Sequence, residues 1–395
     1  MDLRKKIALI LTLAWGMIMP LRAQQADSIR FSLLTCAPGN EIYELFGHTA
    51  LRYQNFTRGA DVVFNYGMFS FNTPHFVYRF VKGETDYQLG IAPYRYFEAE
   101  YALRGSSVYE QELNLTPQEK QTLLYLLEEN YRPANRTYRY NYFYDNCTTR
   151  ARDQIEKAVQ GKVVYPAGEK EKTFRSIVHE YTANSPWDEL GIDFCLGAEA
   201  DLPIDNRLQM FAPFYMRRFA SQAYIVNEDG TRRPLVVKET KIVDVAPESA
   251  GPAFPLTPMT CACLFLALNV WIAWWQWRRR KIYWGWDMVL YGAQGLAGCV
   301  VAFLFFVSVH PTVGSNWLLA LFNPIPLLCL PAMVYGAVKH RKVHYHTVNL
   351  VYLTLFIVIF SISPQEFNLT VLPLALGLLV NAASHVLVMN MNAKE

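Results

Sequence analysis

One histidine and one cysteine, each in a distinctive local context, are the residues of this chain best suited to covalent chemistry. The histidine is His48, in the segment Gly47–Leu51, and the cysteine is Cys147, which follows an asparagine and precedes two threonines. A thiol becomes a useful nucleophile when a nearby imidazole takes its proton. The pair therefore predicts acyl transfer by a cysteine nucleophile with a histidine base.

A third group usually orients the imidazole of such a base. Asn65 and Asp61 lie on the strand predicted after His48, and Asn65 is the preferred candidate. Asn146 and Thr148 adjoin the nucleophile, so we expect them to shape its turn or to supply an oxyanion contact.

Aromatic and basic residues near the nucleophile are candidates for substrate contacts. Arg150 and Arg152 could hold a phosphate, or they could simply complete a helix. A cleft for an acyl chain or head group could be lined by tyrosines, with Tyr144 the preferred one, although stacked strand aromatics are the simpler interpretation. These tyrosines are Tyr138, Tyr140, Tyr142 and Tyr144.

Other classes of site and partner are not expected. No second histidine or acid lies at ligand spacing from His48 or Cys147, so the sequence predicts no metal site. His75 and His179 lack a catalytic context. The net charge is only +3 and the basic residues form no stripe with aromatic ones, which argues against a nucleic-acid partner.

The elements that must position these residues are indicated by periodicity and by capping signals. Thr116-Pro117-Gln118-Glu119 is a helix start, and this helix is predicted to end near Tyr131. A second helix is predicted from Thr148 to Val159, with Cys147 at its N-terminus, where the amides and the dipole favour a thiolate and an oxyanion. Strands are predicted at Ile29–Cys36, Thr49–Tyr53, Val62–Tyr66, Tyr87–Ala92 and Ser107–Leu115.

The N-terminus has the pattern of an export signal. Arg4–Lys6 is basic, Ile7–Ile18 is apolar, and Leu21–Ala23 could precede cleavage before Gln24. Retention of this segment as an anchor stays open. We therefore expect a signal peptide over 1–23 and an exported domain over 24–250.

Charges become scarce after residue 250, and a domain of about five transmembrane helices is predicted over 256–392. Basic clusters follow the first and third apolar stretches, so the positive-inside rule makes those connections cytoplasmic. Prolines in the third stretch predict a broken helix, either a packing kink or a lipid-access groove. The stretches are Pro258–Trp277, Gly285–Val309, Trp317–Val338, Thr347–Ile362 and Phe367–Met391.

Three of the seven cysteines lie in the exported part, namely Cys36, Cys147 and Cys195. In an oxidising compartment Cys36 and Cys195 could form a disulfide that leaves Cys147 free. The alternative is two buried thiols.

Several segments together resemble one protein family. Gly47–Ala50, Asn65–Gly67 and Asn146–Asp153 resemble the N-terminal periplasmic domain of the Lnb-type bacterial lipoprotein N-acyltransferases. The order of histidine before cysteine is also similar to the permuted papain-like fold of NlpC-type and lecithin:retinol acyltransferase-like enzymes. The membrane part resembles the same family in the segments His310-Pro311, Asn316-Trp317 and Phe322–Pro324.

The resemblance implies an α+β exported domain of the permuted papain-like (NlpC/LRAT-like) type, followed by an all-α bundle of about five helices in the bacterial inner membrane. It implies that Cys147 takes an acyl chain from a phospholipid as a thioester, with His48 as the base. The acyl chain then passes to the α-amino group of the lipidated N-terminal cysteine of a lipoprotein. The implied partners are a phospholipid donor, a diacylated lipoprotein acceptor and the membrane, with no metal or nucleotide.

Two other functions stay open. A membrane-anchored periplasmic cysteine amidase or peptidase acting on cell-wall peptide would use the same pair, but it does not explain five spans. A membrane scaffold with an inactive papain-like domain would need neither residue. Activity that depends on Cys147 would exclude the scaffold, and an apolar slot open to the bilayer would favour acyl transfer over the amidase.

Overall fold

An antiparallel sheet of seven strands is the centre of the first domain in the computed structural model, which describes residues 28–39, 41–168, 170–245 and 255–393. The signal peptide predicted over 1–23 lies outside these residues. The described strands are β1 (Ile29–Cys36), β2 (His48–Asn55), β3 (Ala60–Met68), β4 (Asp86–Pro93), β5 (Val108–Leu113), β6 (Thr137–Arg139), β7 (Lys162–Val164), β8 (Tyr224–Val226), β9 (Arg232–Pro234) and β10 (Val236–Val243). The large sheet has the order β10-β5-β1-β2-β3-β4-β6, and β7, β8 and β9 form a small second sheet.

Helices of the same domain begin at clear capping signals. The helix predicted after Thr116 has a capping box, in which the Glu119 carboxylate accepts from the Thr116 amide at 2.8 Å. The five predicted strands and both predicted helices are confirmed with closely similar bounds. The described helices are α1 (Phe76–Lys82), α2 (Tyr94–Leu103), α3 (Pro117–Tyr131), α4 (Cys147–Ala158), α5 (Phe174–Thr182), α6 (Pro186–Cys195), α7 (Asn206–Gln209) and α8 (Pro213–Gln222).

Side chains of the central strands alternate between two apolar layers, because successive residues of a strand point to opposite faces. Phe31 and Leu33 lie in the layer shared with α3 and α4. Leu34 and Cys36 lie in the layer shared with α2. The sheet is thus covered on both faces, which fixes the position of β2, the strand that carries the candidate base.

An all-helical part follows the sheet domain. Four stretches of its described residues are long and apolar enough to cross a membrane: Pro258–Arg279, Trp284–Phe306, Leu318–Val338 and Val371–Asn392. The span predicted at Thr347–Ile362 corresponds to a helix of 17 residues, short of the ~20 that a span usually needs. The helices are α9 (Pro258–Arg279), α10 (Trp284–Phe306), α11 (Leu318–Leu321), α12 (Ile325–Val338), α13 (His344–Phe360) and α14 (Val371–Asn392).

The third span is broken between α11 and α12, as its prolines predicted. The carbonyl of Leu321 accepts from Gln294 Nε2 at 2.8 Å, and the carbonyl of Ala320 accepts from the Tyr352 hydroxyl at 2.6 Å. Side chains of neighbouring helices thus satisfy backbone groups that the break frees. This favours the packing kink over the lipid-access groove.

Loops at one end of the helical bundle are hydrogen-bonded to the sheet domain, and we call this set of contacts the joint. Asn316 donates to the Phe194 carbonyl at 2.8 Å. Gln365 donates to the Leu196 carbonyl at 3.0 Å. The joint is formed by residues 193–201 on one side and by the loops 312–317 and 363–368 on the other.

The two basic connections lie at the other end of the bundle. The Lys342 ammonium donates to Asn390, and Asn392 donates to the Arg280 carbonyl, so both connections contact the last turn of α14. The joint is at the opposite end of the same helices. The basic clusters therefore lie across the bundle from the sheet domain, which is the arrangement that the positive-inside rule predicts.

Cys36 and Cys195 are both free thiols, so the disulfide considered for them is wrong. Cys36 ends β1 in the layer shared with α2, whereas Cys195 ends α6 at the joint. Burial raises the pKa of each thiol above its ordinary value. Both are therefore poorly reactive compared with an activated cysteine.

Candidate active site

The segments around His48 and Cys147 meet where α4 packs on the sheet. β2 begins at His48 and α4 begins at Cys147, and α4 lies across β2 and β3. The hydroxyls of Thr49 and Thr148, the next residue in each segment, are hydrogen-bonded at 3.0 Å. The structure thereby brings the imidazole and the thiol together on either side of Gly67, close enough for each to shift the pKa of the other, although they are far apart in the sequence.

A glycine leaves room beside this pair. Gly67 has a φ of 89°, a conformation that glycine adopts without steric cost. A Cβ at Gly67 would lie 3.7 Å from Cys147 Cβ and 3.9 Å from His48 Cε1. Any larger side chain would occupy the space next to the sulfur and the ring, so Gly67 belongs to the site although its residue type carries no chemistry.

Asn65 holds the far side of the imidazole. It lies on β3, and its Oδ1 accepts a hydrogen bond from His48 Nε2 at 2.5 Å. Because Nε2 is occupied, Nδ1 is the nitrogen that remains for the thiol. The alternative, Asp61, lies at the other end of β3 and forms an ion pair with Arg52 at 2.7 Å, away from His48.

The imidazole and the thiol shift each other's pKa in opposite directions. Burial alone would raise the pKa of the Cys147 thiol, but the charge of His48, its hydrogen bond and the Thr49 amide together lower it below the ordinary value. Burial alone would lower the pKa of His48, but the charge and hydrogen bond of Cys147, with Asn65, raise it. The arrangement therefore favours a thiolate–imidazolium pair.

Asn146 caps α4 and its side chain is not directed at the nucleophile. Its Oδ1 accepts from the amides of Thr148 and Thr149 at 2.8 and 2.9 Å. Its Nδ2 donates to the carbonyls of Tyr142 and Phe211. With two first-turn amides occupied by the cap, the amide of the nucleophile itself is the first-turn donor suited to an oxyanion.

Thr148 contributes to the site by position. Its hydroxyl is fully buried, lies 3.8 Å from Cys147 Sγ and is engaged by the Thr49 hydroxyl. The contact joins the start of α4 to the start of β2. Thr148 thus fixes the distance between the two catalytic candidates.

Both arginines considered for phosphate binding form hydrogen bonds within the protein. Arg150 forms two hydrogen bonds with Asp145, at 2.6 and 2.8 Å, and its guanidinium lies 3.6 Å from the ring centroid of Tyr138. Arg152 is buried and donates to Asp153 and to the carbonyl of residue 207. Arg152 therefore has a structural role, and Arg150 is the one closer to the tyrosines of the site.

Four tyrosines, two buried and two partly buried, pack in the same apolar layer as the nucleophile. Burial raises the pKa of these hydroxyls, and the charge of Cys147 contributes to each shift, which shows their proximity to the sulfur. Tyr87 was not predicted as a site residue, because a tyrosine on a predicted strand is equally well explained as a structural residue. It stacks on Tyr140 at 4.1 Å. The residues are Tyr87, Tyr138, Tyr140 and Tyr142.

Tyr144, by contrast, is not part of this group. It is half exposed and packs edge-on against Phe174, with ring centroids 5.5 Å apart. The structure therefore does not bring Tyr144 together with the nucleophile.

A cluster with possible metal ligands lies at the joint. Among the residues described, the ligand atoms of His179, Glu189 and Asp193 lie within 4.8 Å of one another. Asp193 already pairs with Arg175 at 2.7 Å and accepts from His179 Nε2 at 2.9 Å. The buried guanidinium disfavours a cation there, so we interpret the cluster as an ion-pair network.

Comparison with known protein families gives two matches. Residues 19–180 match the Lnb N-terminal periplasmic domain, and residues 249–393 match the Lnb transmembrane domain. No curated protein and no solved structure matches the chain. Because the two matched domains follow each other in this order and together account for most of its length, the chain belongs to the Lnb-type family, with a periplasmic domain before a transmembrane one.

Proposed function

We propose that this protein is a lipoprotein N-acyltransferase. It moves an acyl chain from a membrane phospholipid, through a thioester on Cys147, to the α-amino group of the lipidated N-terminal cysteine of a lipoprotein. The observation that carries the proposal is the contact of His48 with Cys147 at the start of α4, in a member of the Lnb-type family. The reaction takes place on the periplasmic side of the bacterial inner membrane.

In the first step the Cys147 thiolate attacks the carbonyl carbon of the glycerol ester. The carbon–sulfur bond forms and the bond to the glycerol oxygen breaks. His48 gives its proton to that oxygen, and the lysophospholipid leaves. The Cys147 amide is placed to stabilise the transient charge on the carbonyl oxygen.

In the second step the neutral amine of the lipoprotein attacks the thioester carbonyl. The carbon–sulfur bond breaks, His48 takes a proton from the amine nitrogen, and Cys147 returns to the thiolate. Asn65 keeps the same face of the imidazole towards the reacting atoms in both steps. The aromatic side chains near the sulfur limit competing hydrolysis by excluding water.

We further infer that the sheet domain is a permuted papain-like domain. The inference is supported by a cysteine at the start of a helix, packed on an antiparallel sheet whose neighbouring strands carry the histidine and its asparagine partner. The domain is permuted in the sense that His48 comes before Cys147 in the chain.

The test is mass spectrometry of a lipoprotein N-terminal peptide from cells that make the wild type, Cys147→Ser or Cys263→Ser. Cys263 is an exposed free cysteine of α9 and serves as the matched control. We expect N-acylation with the wild type and with Cys263→Ser, and none with Cys147→Ser at equal membrane levels. A thioester-linked acyl group on Cys147, released by neutral hydroxylamine, should be found in the wild type.

N-acylation that persists without the Cys147 thiol, in cells with no second such enzyme, would overturn the proposal. Release of cell-wall peptide that depends on Cys147, without N-acylation, would identify the amidase instead. Absence of both reactions from cells that make the wild type as their sole such enzyme would identify a scaffold.

A further inference from the structure

An exposed aromatic surface lies beside the membrane helices, on the end of β3, the loop that follows it and α1. None of the seven residues of α1 is buried, although five of them are apolar or aromatic. A face of this kind on a folded domain usually marks an interaction site. The exposed side chains of this aromatic surface are Met68, Phe71, Val77, Tyr78 and Phe80.

The aromatic surface touches the bundle at the outer end of α10. Tyr78 packs on Phe303 with ring centroids 6.0 Å apart, and the Lys82 carbonyl accepts from the Val309 amide at 2.9 Å. Beside these contacts Phe306 and Val309 are 72% and 62% exposed. The aromatic surface therefore continues the lipid-facing side of a membrane-spanning helix.

A row of rings, which we call the aromatic track, leads from this surface towards the nucleophile. Each ring is stacked nearly parallel on the next. Its inner end is formed by two of the tyrosines near Cys147. Successive centroids are 6.0, 5.8, 4.9 and 4.1 Å apart along Phe80, Phe76, Phe69, Tyr87 and Tyr140.

We propose that the aromatic surface lies in the outer leaflet at the head-group level, and that the aromatic track receives an acyl chain of the donor phospholipid on its way to Cys147. The inference deepens, and rests on, the acyl transfer proposed above. The bilayer is the occupant because the surface is continuous with α10, and because aromatic side chains favour the membrane–water interface. Stacked rings offer the chain an apolar path between bilayer and thiol.

The first test places a photoreactive benzophenone side chain at position 77 or, as a control, at position 56, in full-length Cys147→Ser protein in phosphatidylethanolamine–phosphatidylglycerol nanodiscs. Val77 and Phe56 are both exposed and apolar, but Phe56 lies at the turn between β2 and β3. We expect phospholipid adducts at position 77 and not at position 56. With a diacylated lipoprotein peptide added to the nanodiscs, adducts to that peptide alone, or no adducts at all, would overturn the inference.

The second test compares acyl transfer from bilayer phospholipid by Val77→Glu and Phe56→Glu. A carboxylate is disfavoured in the interface, so we expect transfer to fall about tenfold in Val77→Glu. Phe56→Glu should match the wild type. Alkylation of Cys147 at the wild-type rate in both variants would show that the site is folded, and equal transfer by the two variants would overturn the inference.

The experiments distinguish a failure of the proposed acyl transfer from a failure of the proposed membrane surface. If the wild type transfers no acyl chain, the proposed function fails, whatever position 77 contacts. If the wild type transfers but position 77 does not meet lipid, only the membrane surface fails.

Discussion

His48 and Cys147 determine the pH range in which the nucleophile is charged. The pKa of the thiol is lowered, so the thiolate is present above that lowered value and is lost only as the pH falls through it. The pKa of the imidazole is raised, so the imidazolium persists until the pH rises through that value. The pair is thus ion-paired over a wider range than two isolated groups would be.

We therefore expect iodoacetamide to alkylate Cys147 at pH values below those at which ordinary thiols react. His48→Gln removes the main group that lowers the pKa of the thiol, so the alkylation profile should move to higher pH. Peptide-resolved mass spectrometry measures the rate, with buried Cys36 as the internal control. Identical profiles for the wild type and His48→Gln would contradict the assignment.

Asn65 is expected to act by positioning the imidazole. Asn65→Ala removes the acceptor for Nε2, and we expect kcat of acyl transfer to fall about ten- to a hundredfold with little change in KM. Asn65→Asp keeps an acceptor and adds a negative charge that favours the imidazolium. Asn65→Asp should therefore retain more activity than Asn65→Ala, and the alkaline limb of its pH profile should move to higher pH. If the two variants had the same kcat and the same pH profile, Asn65 would not act by positioning the imidazole.

Residue type and spacing predicted which residues meet in this site better than they predicted the role of each residue. His48, Cys147 and Asn65 have local contexts that suit the chemistry, and the structure brings them together. The capping role of Asn146 was less visible, because an asparagine before a cysteine fits a cap and an oxyanion donor equally well. Which of the two applies depends on where the chain around Phe211 lies, and that is a long-range property.

At the scale of elements, local signals predicted α3, α4 and the strands around them. Thr116 and Glu119 fix a helix start from four consecutive residues. The pairing of β10 with β5 had no such signal, because it joins segments far apart in the chain and depends on the packing of both. The shortness of α13 was visible in the sequence, because the stretch predicted there, Thr347–Ile362, is itself shorter than the ~20 residues that a span usually needs.

The close packing of α10 on the broken third span gives a prediction at this scale. A Cβ on Gly298 would lie 2.2 Å from the carbonyl carbon of Asn323, whereas a Cβ on Gly292, also on α10, would meet nothing within 4 Å. Gly298→Ala should therefore destabilise the bundle by about 1–3 kcal/mol. Gly292→Ala should be neutral or slightly stabilising, since alanine favours helix.

Thermal unfolding of both variants in the same detergent would measure this difference. Equal midpoints for Gly298→Ala and Gly292→Ala would contradict the packing described here.

At the scale of the whole molecule, the joint holds the sheet domain at a fixed place on the bundle. Asn316 is almost fully buried, donates to Phe194, and accepts from Gln365 Nε2 at 3.2 Å and from the Leu318 amide at 2.9 Å. Three partners would lose a hydrogen bond if its side chain were removed. Asn316 belongs to a segment that resembles the Lnb-type family, and these hydrogen bonds give it a structural role.

We expect Asn316→Ala to lower acyl transfer from bilayer phospholipid, because the sheet domain is held less firmly over the membrane. Alkylation of Cys147 should stay at the wild-type rate, because the pair of His48 and Cys147 is intact. Asn392→Ala removes an asparagine hydrogen bond at the opposite end of the bundle and should have little effect. Hydrogen exchange should rise at residues 193–197 in Asn316→Ala only. Unchanged exchange and unchanged transfer would show that the joint is dispensable.

The joint also means that the two halves recognise each other without help from the peptide that links them. Their contacts involve side chains and loops on both partners, from Asp193 to Asn368. A protease that cuts between residues 245 and 255 should therefore leave an enzyme that still purifies as one complex. Two genes, one for each half and the second with its own insertion signal, should complement each other in the same cell.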